Sequence, residues 1–373
     1  MSDLPFPVAS LSRRLLAWYR RWARPLPWRA DRDPYRVWVS EIMLQQTQVA
    51  TVEAYFRRFM TAFPTVRDLA AAEESDVLRL WEGLGYYRRA RQLHLAAQRI
   101  VADHDGRFPD DANAVRSLPG IGRYTAGAIL SIAFDQREPI LEANTVRLLS
   151  RLIALRKNPH DAAGQKLLWQ VAAAILPRTS PGEFNQALME LGSQICSPRE
   201  PACDVCPLRT LCPTFATGLQ AEIPAPKTKP RIESVRQAAV VVRRADRRVL
   251  LVQHGEGQRW AGLWDFPRIT LGDEQGDSLR RRIADAIRDE FAITVQLGEH
   301  LATLRHSVTR FRITLECYAA EHATNGGGKG TNGLGDELAA PRATKWCSPA
   351  GITRLPLNTT GRKISRLLSK PRS

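Results

Sequence analysis

Apolar residues recur at helical spacing through the first three-fifths of the chain. The i, i+3, i+4 pattern marks Leu11–Trp22, Tyr35–Phe59, Ser75–Leu80, Arg88–His104, Tyr124–Phe134, Thr145–Leu155, Gly164–Ile175 and Glu183–Ile195. Proline and glycine punctuate the connections, as in Phe108-Pro109, Leu118-Pro119-Gly120 and Ser180-Pro181-Gly182. No β-rich stretch interrupts this region, so the pattern predicts an all-α domain over residues 1–222. The Pro-rich, basic run Ile223-Pro-Ala-Pro-Lys-Thr-Lys-Pro230 then reads as extended, within a linker over 223–235. Beyond it, Ala238–Val242 and Val249–Gln253 flank a polar turn and predict a β-hairpin. Ser278–Phe291 reads as an amphipathic helix and Phe311–Ala319 as a strand, while the Gly-rich Asn325–Gly335 reads as a disordered loop. Residues 236–366 therefore form a smaller α/β domain.

Composition narrows the class. The 373 residues suffice for two domains with cores of their own, and 44% hydrophobic with 25% charged residues is ordinary for a globular protein. No apolar run approaches a membrane span. Met1 to Leu11 lacks the charged and apolar regions of a signal peptide, so the expected location is the cytoplasm, associated with the nucleoid. Fifty-four Lys+Arg against 38 Asp+Glu give a formal charge of +16, which favours a polyanionic partner, nucleic acid first, over a merely basic surface.

Four of six cysteines crowd one stretch: Cys196, Cys203, Cys206 and Cys212, spaced C-x6-C-x2-C-x5-C. A reducing compartment argues against disulfides. Structural zinc sites usually use two CxxC-like pairs, whereas one CxxC with wider flanking gaps suits a 4Fe–4S cluster at least as well. Cys317 and Cys347 stand apart and read as buried thiols.

Four further stretches carry chemistry. Leu118-Pro-Gly-Ile-Gly122 ends one helix and starts another; Gly120 and Gly122 let a phosphate approach a helix N-terminus, or else simply cap a joint. Glu41 shares a helix face with Val37, Trp38 and Leu44; a carboxyl buried there rises in pKa and suits a general acid, the bland alternative being a Glu satisfied by Arg at the helix edge. Glu142 and Asn144 sit at a helix start, where Asn144 or Thr145 could cap and Glu142 suit the dipole, or where Glu142 could serve as the second carboxylate of a glycosidic-bond-breaking pair. Gly83-Leu-Gly-Tyr-Tyr-Arg-Arg-Ala-Arg91 sets aromatics beside arginine on a turn, either a wedge for a base stack or a core tyrosine pair beside a solvated basic face.

Together these motifs resemble the MutY-type adenine DNA glycosylases of the helix-hairpin-helix superfamily, which also holds endonuclease III. The likeness covers nearly the whole chain and rests on Ser40-Glu-Ile-Met-Leu-Gln-Gln-Thr-Gln-Val49, Gly83-Leu-Gly-Tyr-Tyr87, Leu118-Pro-Gly-Ile-Gly-Arg-Tyr-Thr-Ala-Gly127, Phe184-Asn-Gln-Ala-Leu-Met-Glu-Leu-Gly192 and the cysteine spacing. It implies a mainly α glycosylase domain with an iron–sulfur loop and a smaller Nudix-like α/β domain. It further implies a monomer that removes adenine opposite 8-oxoguanine or guanine in double-stranded DNA. The cysteines would ligate a 4Fe–4S cluster. Glu41 would protonate N7 of the flipped adenine, and Glu142 would stabilise the sugar cation. Glu142-Ala143-Asn144 stands where the family has Asp-Gly-Asn, adding one methylene to that carboxylate. Tyr124 occupies the slot where lyase-competent relatives carry Lys, which implies a monofunctional enzyme. Arg24, Leu26 and Trp28 match a base-pocket strip, Glu190 another pocket residue, and Gln46 and Tyr86 residues that wedge into the duplex.

Trp260-Ala-Gly-Leu-Trp-Asp-Phe-Pro267 carries the likeness to a MutT-like, Nudix-fold reader of 8-oxoguanine. The Nudix catalytic box is absent around Ser278–Phe291, which implies reading without hydrolysis. The family's Phe-Ser-His element falls on Val308-Thr309-Arg310, where Thr309 keeps a hydroxyl for the lesion. Two other readings remain: a mismatch-binding protein that has lost turnover through Glu142, and an endonuclease III-like glycosylase/lyase. Glu41, Tyr124 and Asn144 argue against the first, and Tyr124 and the second domain against the other.

Overall fold

A computed structural model describes residues 4–226, 232–308, 310–323 and 343–368. The chain divides into two compact units, Met1–Ala72 with Gln92–Thr228, and Glu73–Arg91 with Lys229–Ser373. Its helices run α1 (Val8–Trp22), α2 (Pro34–Leu44), α3 (Val49–Ala62), α4 (Val66–Ala71), α5 (Glu74–Leu80), α6 (Arg88–His104), α7 (Ala112–Ser117), α8 (Arg123–Phe134), α9 (Ala143–Leu152), α10 (Ala162–Ile175), α11 (Pro181–Gln194) and α12 (Pro213–Ala216). Among the described residues none is long and apolar enough to cross a membrane.

The expected single helix over Tyr35–Phe59 is two. It breaks at Gln45–Gln48, with Gln46 in the left-handed region at φ 58°. Neither glycine nor proline marks that break, so periodicity read straight across it. The short helices α4 and α7 escaped the pattern because each buries only one or two side chains; their caps hold them instead. Thr65 and Asp68 form a reciprocal capping box, and the Asp111 carboxylate accepts the N–H groups of Asn113 and Ala114.

In the first unit, Leu11 and Leu15 of α1 pack with Leu148, Leu149 and Leu152 of α9 and with Phe184, Leu188 and Leu191 of α11. The backbones of α8 and α11 nearly touch. A β-carbon on Gly182 would lie 2.1 Å from the Ser131 carbonyl oxygen.

The second unit is built on β1 (Glu233–Arg243), β2 (Val249–Gln253), β3 (Trp264–Asp265), β4 (Arg268–Leu271), α13 (Gly276–Phe291), β5 (Val295–Val308), β6 (Phe311–His322), β7 (Thr344–Cys347), α14 (Pro349–Ile352) and α15 (Thr359–Leu368). The strand order is β3-β2-β1-β6-β5, with β4 also pairing β1 and β7 pairing β2. The expected β1–β2 hairpin is present, and β1 runs parallel to β6. Both faces of β1 are covered: Val240 and Val242 meet Ile283 and Ile287 of α13, while Ala239 and Val241 join Ile352 and Ile364. A strand buried on both sides reads as an unbroken apolar run, which is why β1 was visible in the sequence. β5 was not, because most of its residues are at least partly exposed and polar. The Gly-rich loop Asn325–Gly335 lies outside the described residues.

The segment Glu73–Arg91 packs with this unit. Glu82 accepts both Nε and Nη2 of Arg362 (2.6 and 2.8 Å), and the Tyr87 hydroxyl donates to the Leu357 carbonyl (3.4 Å). Trp81, fully buried, donates through its indole N–H to the Gly85 carbonyl (3.1 Å) and pins the turn that exposes Tyr86.

Gly182→Ala drives a methyl group into the α8 backbone, where no flexible side chain can yield. It should lower stability by about 1–3 kcal/mol, the range for forcing extra atoms into a packed core. A fall in the thermal midpoint of the helical circular dichroism signal would register it.

Candidate active site

α2 is buried nearly all round, and Glu41 sits in it with 5% exposure among Val37, Trp38 and Met43. α8 starts at Gly122 and brings Tyr124 across. The Tyr124 hydroxyl donates to Oε2 of Glu41 (2.5 Å) and also contacts Sδ of Met189 on α11 (3.3 Å). The partner of Glu41 is thus a tyrosine rather than the arginine of the bland reading. Burial pushes the Glu41 carboxyl up to about 7, and the charge of Glu142 adds to the rise; the Tyr124 hydrogen bond and the Arg29 charge pull the other way. Burial and the two carboxylates hold the Tyr124 hydroxyl well above its ordinary range.

Glu142 itself is the N-cap of α9. Its two carboxylate oxygens accept the backbone N–H groups of Asn144 and Thr145, both at 2.8 Å, and Thr145 Oγ1 accepts the Glu142 N–H in return. The capping residue is therefore Glu142, not Asn144 or Thr145. Burial raises its pKa, opposed by those two backbone hydrogen bonds and by Arg147. The longer side chain folds back onto its own helix start while still lining the cavity that holds Glu41.

That cavity measures about 420 Å³, room for one base. Nine of the residues expected at the site line it: Arg24, Leu26, Trp28, Glu41, Gln46, Tyr124, Glu142, Asn144 and Glu190. Leu26 and Trp28 are buried walls, and Trp28 packs edge-on against Phe56. Glu190, 1% exposed, accepts Nε and Nη2 of Arg24 (2.6 and 2.8 Å) and Nη2 of Arg29 (2.9 Å). Burial alone would raise its pKa, but the Arg24 hydrogen bonds and Arg29 outweigh it and hold the carboxylate below its usual range.

Gly120 has φ 77°, and a β-carbon there would strike Cβ of Gln92 at 2.7 Å, so local structure alone requires this glycine. Gly122 differs: its φ is −91° and nothing within 4 Å would meet an added β-carbon. The space before the α8 N-terminus is open. Tyr86, 50% exposed, belongs to the other unit and does not line the cavity. Thr309 lies outside the described residues. Its neighbour Arg310 pairs with Glu233 (3.3 Å) on an exposed edge.

The sequence reading missed Arg29, Met189 and two buried arginines. Arg147 donates to the Asn144 side-chain oxygen (2.9 Å), the Gly192 carbonyl (2.6 Å) and the Cys196 carbonyl (2.7 Å). Arg151, 2% exposed, donates to the carbonyls of Ile223, Ser197 and Gln220 and points Nη1 at Cys196 Sγ (3.3 Å). Their i, i+4 spacing on the apolar side of α9 was the available signal. Cys196, Cys203, Cys206 and Cys212 line one small cavity with Arg151 and Gln220, and all are free thiols. Burial and the charges of the other three cysteines push Cys206 up to about 12, against a backbone hydrogen bond. Among the described residues no three His, Cys, Asp or Glu side chains converge tightly enough to hold a single metal ion.

Two carboxyls in different environments at a base-sized cavity, one buried with a raised pKa and one capping a helix, are suited to breaking a glycosidic bond. Residues 39–174 match the family described as HhH-GPD superfamily base excision DNA repair protein, and residues 238–367 match the NUDIX domain. A thermostable thymine-DNA glycosylase of known structure is similar over 56% of this chain and 97% of its own (28% identity, TM-score 0.52). The adenine DNA glycosylase of Rattus norvegicus is 35% identical over 84% of this chain and 70% of its own length. That of Homo sapiens is 33% identical over 96% and 74%. The chain belongs to the adenine DNA glycosylase family.

A β-carbon on Gly192 would lie 2.8 Å from Cβ of Asn144 and 3.0 Å from its carbonyl oxygen. Gly192→Ala should displace Asn144 and the α9 start, lowering single-turnover excision on the order of 10²-fold, the scale of an ångström's misplacement. Retained helical circular dichroism would show that the loss is local.

Proposed function

We propose that this chain excises adenine paired with 8-oxoguanine or guanine in duplex DNA, with residues 1–222 as the glycosylase domain, 223–235 as linker and 236–366 as the lesion reader. The observation that carries this is Glu41: buried, shifted to about 7 and hydrogen-bonded to Tyr124 in the cavity that Glu142 also lines. Glu41 donates its proton to N7 of the flipped adenine, so the base can leave with the electrons of the N-glycosidic bond. The positive charge that develops on the sugar faces Glu142, whose carboxylate is fixed by its two N–H donors and needs no reorganisation. Asn144, held through Arg147, keeps the α9 start in register with that charge. Leu26 and Trp28 wall the base, Arg24 and Glu190 present a fixed polar edge, and Gln46 and Tyr86 keep the duplex parted. Gly120 and Gly122 give the backbone phosphate its approach to α8. Val308, Thr309 and Arg310 address the base opposite the adenine.

Tyr124 has no amine to form a Schiff base, so water adds to C1′ of the sugar cation and loses a proton, and the product is an intact abasic site. The four-thiol cavity, with Arg151 and Gln220 donors turned toward sulfur, fits a 4Fe–4S cluster held by Cys196, Cys203, Cys206 and Cys212 better than one bare ion. Its role there is to tie the 196–212 loop to α9. The protein acts as a monomer in the cytoplasm, on the nucleoid.

Incubation with duplex bearing adenine opposite 8-oxoguanine tests the reading: strand scission should appear only after hot alkali. Scission without alkali would indicate a lyase, and binding without scission in either case a reader that has lost turnover. Glu41 must be protonated and Glu142 ionised, so the excision rate should fall as pH rises past about 7 and fall again in acid as Glu142 protonates. The Tyr124 hydrogen bond favours ionised Glu41, so Tyr124→Phe should move the alkaline limb to higher pH; a limb that stays put would remove Glu41 from the acid's role. Cys206→Ser should reduce bound iron and acid-labile sulfide and lower the thermal midpoint, measured on the purified full chain.

A further inference from the structure

The β1–β2 turn carries Arg243, Arg244, Arg247 and Arg248 against one acid, Asp246, which pairs with Arg244 (3.1 Å) and less closely with Arg248 (3.7 Å). The turn is fixed: the Arg244 N–H donates to the Arg248 carbonyl, and Arg247 takes the left-handed conformation at φ 64°. β7 pairs antiparallel with β2, Val249 opposite Cys347 and Leu251 opposite Lys345. This register puts Cys347 next to the turn, with Trp346 and Lys345 one and two residues further along β7, and the chain after α14 brings Arg354 into the same groove. Arg248, Lys345, Trp346 and Arg354 line an open groove of about 320 Å³. All three cations are exposed, and Lys345 and Arg354 have no carboxylate partner among the described residues. The Arg244 guanidinium lies over the Trp346 ring, 5.1 Å from its centre, and continues the positive line from groove to turn.

A line of cations that internal carboxylates leave largely uncompensated is a binding surface for a polyanion. The sheet also gives its position. β5 and β6 meet at Val308 and Phe311, beside Val308 and Arg310 of the proposed lesion reader, and β1 runs parallel to β6 from Glu233 opposite Phe311 to Arg243 opposite Glu321. The basic turn is therefore at the far end of the sheet, ten residues along, or ~33 Å at ~3.3 Å per residue. That is about one turn of B-form DNA.

We propose that the β1–β2 turn and the groove of Arg248, Lys345 and Arg354 form a second phosphate-binding surface. It takes the backbone of duplex DNA, either about one helical turn from the lesion or on a second duplex. The inference rests on duplex DNA being the substrate. It needs no base contact, so it adds affinity for any sequence and lets the protein stay on undamaged DNA between lesions.

The test compares the full chain with Arg248→Gln/Lys345→Gln/Arg354→Gln, changes that keep the side-chain stems, on undamaged duplexes of ~10 and ~30 base pairs. On the long duplex, the slope of log affinity against log salt should fall by about 2–3 in the variant, near 1 per lost phosphate contact. If the same duplex supplies the phosphates, parent and variant bind the short duplex alike. If a second duplex supplies them, only the parent takes up two short duplexes. An unchanged slope at both lengths, with an unchanged thermal midpoint, overturns the proposal. If the midpoint falls, Arg248→Lys/Arg354→Lys, which keeps the charges, must restore the slope, and failure to do so also overturns it. Single-turnover adenine excision at saturating enzyme is read separately and should not change. A parent protein that binds but never excises would end the glycosylase reading and leave the salt slopes standing.

Discussion

Backbones that approach more closely than a β-carbon permits hold the site together. α8 meets α11 at Gly182, α9 meets α11 at Gly192, and α8 meets the strand-like entry to α9 where a β-carbon on Gly127 would lie 2.4 Å from the Pro139 carbonyl oxygen. With these three approaches fixed, Tyr124 on α8, Asn144 on α9 and Met189 and Glu190 on α11 have little freedom left. Close packing of this kind is stiff, and an active site gains from stiffness because donors and charges are already aimed when the transition state forms. The buried carboxyl of Glu41 exploits the same rigidity. It is desolvated because α2 is enclosed on every side, and desolvation is what brings its pKa into the working range.

Glu142 caps α9 with the longer of the two acidic side chains. An aspartate at a helix start reaches its own N–H donors with a short arm. The glutamate reaches them by folding back, and both oxygens are satisfied at 2.8 Å.

Much of this was legible in the sequence because amphipathic period and local chemistry agreed. Arg88–His104 was read to the residue, and the apolar run Ala238–Val242 was read as a strand of a hairpin. The two carboxylates stood out as charged residues among apolar neighbours, and the pocket strip was found through its likeness to the family motif. What stayed hidden was set by tertiary contacts. The break at Gln46 has no local signal, since neither glycine nor proline stands at Gln45–Gln48. β5 lacks an apolar face strong enough to stand out. Arg147 and Arg151 look like solvated helix charges until the carbonyls they serve, tens of residues downstream, are folded over them.

The pairing of Glu82 with Arg362 spans 280 residues of chain. During synthesis the segment around Trp81 and Tyr87 leaves the ribosome long before the helix that receives it exists. A carboxylate destined for a guanidinium must wait through the making of about three-quarters of the polypeptide. Translation order therefore makes the second unit the last to mature.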